Sequence, residues 1–167
     1  MSSLEPFNPL ERFAEIERLV SKIYYRFSHL FMTQPELRDF WWEMAREEEQ
    51  HACILHACKA VIENYQDEKL DPSLTAEKAG ALKEWLSSYL GRGASALAVE
   101  EAFRIAVEIE SSEVDAIYGK LLQLGGPQIA KTMENLGVPA SAQRLKLKGA
   151  LRRFTANPAL IQAAARL

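Results

Sequence analysis

The sequence predicts an all-α protein: a four-helix bundle with a long crossover that contains a short helix, followed by a short C-terminal helix. Three observations carry this expectation. Apolar residues recur at alternating steps of four and three along three long segments, as they do in helices packed side by side. Residues that start and stop helices stand at the ends of these segments. No stretch alternates apolar and polar residues in the manner of a half-buried strand.

Asn8 and Pro9 open the first helix. Asparagine accepts hydrogen bonds from the free N–H groups of a helix start, proline suits the first turn, and Glu11 stands at capping-box spacing. The pattern runs to about Met32. Thr33, Pro35 and Glu36 repeat the start signal, so a short turn leads into a second helix, antiparallel to the first, that reaches about Asn64. Residues 65–73 are polar and contain Pro72, which reads as a connection. Thr75 to Tyr89 forms a shorter helix that stops at Gly91 and Gly93. A third long helix is expected from about Ser95 to Leu124, where Gly125, Gly126 and Pro127 end it, and Gln128 to Leu136 is helical again. Gly137 and Pro139 interrupt before the pattern resumes from Ala140 to about Phe154. Asn157 with Pro158 then starts a last short helix.

A chain of 167 residues, 48% of them hydrophobic, fills one substantial core, so residues 1–167 are expected to form a single domain. The formal charge of -3 gives no general attraction to nucleic acid. After Glu134 there is no acidic residue, while Arg144, Lys146, Lys148, Arg152, Arg153 and Arg166 are basic. That segment reads as an ordinary basic helix facing acidic neighbours, because its apolar positions are needed to close the bundle; neither nucleic acid nor a membrane is an expected partner. The N-terminal residues have no basic start or apolar run, and no segment approaches roughly 18 uninterrupted apolar residues, so a cytoplasmic location is expected. Cys53 and Cys58, five apart on one helix, point about 140° away from each other and are expected to be reduced thiols. No Cys-x-x-Cys pair occurs, so the sequence encodes neither a zinc ribbon nor a rubredoxin-type iron centre.

The packing seams place the chemistry. In helix 1 the seam reads Phe13, Glu17, Val20, Tyr24, Phe27, Phe31. In helix 2 it reads Leu37, Trp41, Met44, Glu48, His51, Leu55, Cys58, Ile62, and in helix 3 Phe103, Val107, Glu110, Val114, Ile117, Leu121, Leu124. Glutamate interrupts each row. Burying one ionised carboxylate without a partner costs at least several kcal/mol, and three converging on one interior also repel one another. A metal ion compensates such a cluster. Glu48 and His51, three residues apart, place an oxygen and a nitrogen on one helical face for the same ion, and this donor mixture suits iron or manganese.

Three segments, AEIERLVSKIYYRF, ELRDFWWEMAREEEQHACIL and AVEIESSEVDAIYGKLL, resemble the rubrerythrin-type family of the ferritin-like superfamily over about residues 9–125. Ferritin-like di-iron proteins take one glutamate from each of two helices and a Glu-x-x-His pair from each of the other two. The resemblance implies that Glu17, Glu48, His51 and Glu110 are metal ligands, with Glu113 as an additional carboxylate; Tyr24 fits the family's usual spacing after the helix 1 glutamate. It also implies a redox role in peroxide or oxygen handling, and hence an oxidoreductase fed by an external electron donor.

One half of the family pattern is missing. The second Glu-x-x-His belongs on helix 4, where LGVPASAQRLKLKGAL has neither residue type; Ala140 and Gln143, or else Ser141 and Arg144, align with those ligands. The expected site is therefore an incomplete di-iron centre that holds a single iron or manganese ion. The competing expectation is a metal-free bundle, with Arg144, Lys146 or Lys148 reaching in to neutralise the acids, that serves as a structural or regulatory module. Self-association as a homodimer through exposed aromatic or apolar helix faces belongs with that alternative. Away from the seams, Cys53 with His56 lacks further ligands and reads as local packing or a solvated edge. His29 is a surface or capping residue, Trp41 is core, Trp42 lies about 100° round the helix, and Glu47 and Glu49 are solvated.

Overall fold

The computed structural model describes residues 7–64, 75–92, 96–112, 131 and 140–167. The described residues form α1 (Pro9–Leu30), α2 (Pro35–Asn64), α3 (Ala76–Gly91), α4 (Val99–Glu110), α5 (Ala140–Phe154) and α6 (Pro158–Ala164), with no strand among them. The protein is all-α. No helix among these is long and apolar enough to cross a membrane.

The two asparagines expected to open helices do so, and Thr75, read as the first residue of its helix, is the cap of α3. Asn8 accepts from the Glu11 N–H at 3.2 Å, Thr75 from that of Lys78 at 3.2 Å, and Asn157 from Ala159 and Leu160 at 3.1 and 3.2 Å. Between α1 and α2 the chain turns within four residues, 31–34, and the Gln34 carbonyl accepts the first N–H groups of α2, from Leu37 and Arg38. The two helices run antiparallel. Ser28 near the end of α1 donates to the Arg38 carbonyl at 2.9 Å, while Lys59 near the end of α2 lies 3.4 Å from Glu11 at the start of α1.

The third long helix departs from expectation at both ends. α4 begins at Val99 rather than Ser95, and its ladder gives way at Ser111 and Ser112. The Ser111 hydroxyl donates to the Val107 carbonyl at 2.6 Å and that of Ser112 to Ile109 at 2.5 Å, while the Ser112 N–H tightens onto Ile109 at 2.9 Å. Serine hydroxyls compete with the backbone for these carbonyls, a conflict that apolar periodicity does not register. The connection over 65–73, the segment expected to be helical over 113–124 with Glu113, and that over 128–136 apart from Lys131, which is helical as expected, lie outside the described residues.

Side chains of α1, α2, α4 and α5 share one apolar core. At its centre is Trp41 of α2, fully buried. Its ring lies 5.6 Å from Tyr24 and 5.0 Å from Phe27 of α1, 4.8 Å from Phe40, and 4.9 Å from Phe103 of α4. Phe103 in turn stacks on Phe154 of α5 at 6.3 Å. Edge-to-face and offset contacts of this kind add to the burial of large rings and fix the relative rotation of the helices that carry them. α3 lies against α1, with Lys83 3.4 Å from Glu15 and the Arg26 guanidinium donating to the Tyr89 carbonyl at 3.2 Å. The α6 cap, Asn157, donates to Glu100 at 3.3 Å. α5 runs antiparallel to α2, because Arg153 meets Glu36 at 2.5 Å while Lys146 bonds to Glu47, one helical stretch further along.

The two thiols sit in opposite environments. Cys53 is exposed, whereas Cys58 is fully buried on the α2 seam, and burial pushes its thiol from an ordinary 9.0 up to about 11. The folded protein should therefore take one equivalent of alkylating reagent at neutral pH, on Cys53, and a second only after denaturation, as read by mass spectrometry. Both the folded and the unfolded thiol hold their proton at neutral pH, so Cys58 contributes nothing to the pH dependence of stability there. It lowers stability as pH rises from about 9 to about 11. Two equivalents on the native chain at neutral pH would contradict this placement.

Candidate metal centre

Glu17 lies in the middle of α1, and Glu48 and His51 in the middle of α2. Helical stepping from Phe13 to Val20 and from Met44 to Leu55 keeps these positions on the faces where α1 and α2 pack. All three are 1–2% exposed. Each offers one donor atom, and these atoms lie within 4.8 Å of one another. His51 Nδ1 is 3.0 Å from Glu48 Oε2, a separation that requires a proton or a cation between the two.

This geometry fits a metal ion. Bonds of about 2.0–2.2 Å at right angles put donor atoms about 2.8–3.1 Å apart, and bonds in line put them about 4.0–4.4 Å apart. The Glu48 and His51 atoms already match the first separation, and the 4.8 Å limit on the set leaves only a small inward adjustment. Two carboxylates carry two negative charges when ionised, which a divalent cation balances. Hard oxygen donors with one imidazole are the mixture that iron(II) and manganese(II) accept.

The fourth residue expected at the site, Glu110, is buried at the C-terminal end of α4, 2% exposed. It does not belong to the group of three within 4.8 Å. Instead its Oε1 accepts from the Tyr24 hydroxyl at 2.8 Å. Tyr24 stands two turns after Glu17 on the same face of α1, and helical side chains lean back toward their own N-terminus, so the phenol connects the α4 carboxylate to the α1 seam.

The helix that should supply the second Glu-x-x-His supplies an amide. Gln143 of α5 is 1% exposed, and its Nε2 donates to Glu48 Oε1 at 2.5 Å. Its own Oε1 is buried without a hydrogen-bond partner among the described residues. Of the cations expected as substitutes for a metal, Lys146 turns away from the buried acids: it bonds to Glu47 and lies 3.8 Å from Glu43. Gln143 was legible only as a missing ligand. The signal for its role was its place on the α5 seam, four before Leu147, where a polar residue facing an apolar interior needs a polar partner.

The remaining polar candidates fall outside the site. His56 Nε2 takes a 2.8 Å hydrogen bond from the Arg18 guanidinium at the surface, beside the exposed Cys53. His29 is exposed in the last turn of α1. Glu49 is exposed and accepts from the Tyr25 hydroxyl at 3.1 Å, whereas Glu47 is half-buried and bonded to Lys146, so only one of the two is simply solvated. Trp42 is 46% exposed, with the Arg46 guanidinium 5.0 Å from its ring.

The chain matches no family model, no curated protein and no solved structure.

Proposed function

We propose that this chain is a ferritin-like, rubrerythrin-type metal-binding protein that holds an iron or manganese ion with Glu17, Glu48 and His51. The observation that carries the reading is the convergence of two fully buried carboxylates and an imidazole, from two different helices, on donor atoms within 4.8 Å of one another. Buried acids are kept where a cation or a hydrogen-bond network compensates them, and replacing them with apolar residues would otherwise be neutral or stabilising. Four-helix-bundle connectivity belongs to the same proposal: α1, α2, α4 and α5 would be the bundle and α3 the helix within the crossover. The ion would supply redox chemistry toward peroxide or oxygen, with electrons from an external donor, while the chain's residues orient the donors and exclude water around them.

The test is metal content. Protein purified without chelators, or loaded anaerobically with iron(II) or manganese(II), is expected to carry the ion in stoichiometric amount by plasma mass spectrometry. Glu48→Ala and His51→Ala should reduce this to background. A second reading, a metal-free interaction module, is favoured by one observation: His51 and Gln143 already bond to Glu48, and Tyr24 to Glu110. Wild-type protein that folds and takes up neither ion would establish that reading in place of the first.

A further inference from the structure

Both oxygens of Glu48 are engaged, by different partners. Oε2 faces His51 Nδ1 at 3.0 Å, and Oε1 accepts from Gln143 Nε2 at 2.5 Å. A carboxylate that bridges two metal ions gives one oxygen to each. An oxygen that already accepts from an amide N–H keeps one lone pair, but it is held in place by that bond and is the poorer of the two donors to a second ion. Gln143 comes from α5 and is fully buried. The contact is thus an interior one that water does not compete for, and hydrogen bonds to a charged acceptor in such surroundings are the strong ones.

Resting on the metal-binding reading above, we infer that Gln143 is a positioning residue that sets the centre to a single ion: its amide N–H holds Glu48 Oε1 and turns Oε2 to the ion beside His51. The amide is neutral, so it adds no negative charge toward a second cation. The other end of the same amide fits this role. Gln143 Oε1 is a buried acceptor with no partner among the described residues, so the amide stands ready for a donor and brings no counter-charge for a second ion.

The experiment is a manganese(II) titration of the full chain, followed by calorimetry and by electron paramagnetic resonance, on wild type, Gln143→Leu and Gln143→Glu. Wild type is expected to bind one ion per chain with the spectrum of an isolated manganese(II). Gln143→Leu keeps the volume but frees Glu48, and should still bind one ion about ten-fold or more weakly, the usual range for removing a group that orients a ligand being about 10–100-fold. Gln143→Glu removes the donor, frees Oε1 and adds a carboxylate, and should bind two ions whose spins couple, weakening the isolated-ion signal. Two ions in wild type, or an unchanged affinity in Gln143→Leu, would overturn the role of Gln143 while leaving the metal site standing. No binding by wild type would remove the underlying reading as well. Should Gln143→Glu fail to fold by circular dichroism, the Gln143→Leu affinity decides.

Discussion

Manganese(II) at about a hundred times its dissociation constant should raise the melting temperature of the wild-type protein by roughly 5–11 °C, and that of His51→Ala not at all. The magnitude follows from linkage. A ligand that binds only the folded state at such excess adds about 2.7 kcal/mol, and each kcal/mol moves the midpoint of a chain of this size by about 2–4 °C. The unfolded chain cannot imitate the site, because Glu17 is separated from Glu48 and His51 by the α1–α2 turn and meets them only when the two helices pack. Differential scanning fluorimetry with and without the ion checks this. An equal rise in His51→Ala would mean that the ion acts on exposed acids instead of the buried set.

The largest loss of stability is expected from Trp41→Ala, about 3–5 kcal/mol, a large share of the roughly 5–15 kcal/mol that holds a domain folded. Among the described residues Trp41 is the one ring that contacts Tyr24, Phe27, Phe40 and Phe103, so its removal loosens α1, α2 and α4 together. Its indole N–H is buried without a hydrogen-bond partner among the described residues, which already costs stability. Trp41→Phe retains an aromatic ring and deletes that N–H, and should fall well short of the alanine loss. The neighbouring Trp42→Ala, on the exposed side of the same helix, should stay within about 0.5 kcal/mol. Urea unfolding followed by circular dichroism measures all three; a Trp41→Ala loss no larger than that of Trp42→Ala would show that this aromatic cluster does not anchor the core.

Much of this architecture was legible in the residues. Asn8 and Asn157 cap the helices they were expected to open, and α5 spans the segment that the periodicity outlined. Every described side chain on the three expected seams is buried, the glutamates and His51 included. These features are local, since a cap satisfies N–H groups three residues away and a seam follows from 3.6 residues per turn. The early close of α4 is local too, but it depends on whether Ser111 and Ser112 turn their hydroxyls back onto the helix or out to solvent, a choice that residue type leaves open.

What the sequence determined by itself is which side chains go inside: an all-α chain whose seams are broken at Glu17, Glu48, His51 and Glu110. Which of those meet was decided by tertiary packing. The α1–α2 pair brings Glu17 to Glu48 and His51, the Tyr24 hydroxyl takes up Glu110, and α5 presents Gln143 to Glu48. The physical reason is that periodicity specifies the face of a helix but not its depth or rotation against a neighbour. Those follow from how large rings such as Trp41, Phe103 and Phe154 interlock, and a shift of one turn, about 5.4 Å, exceeds the whole span of the donor set.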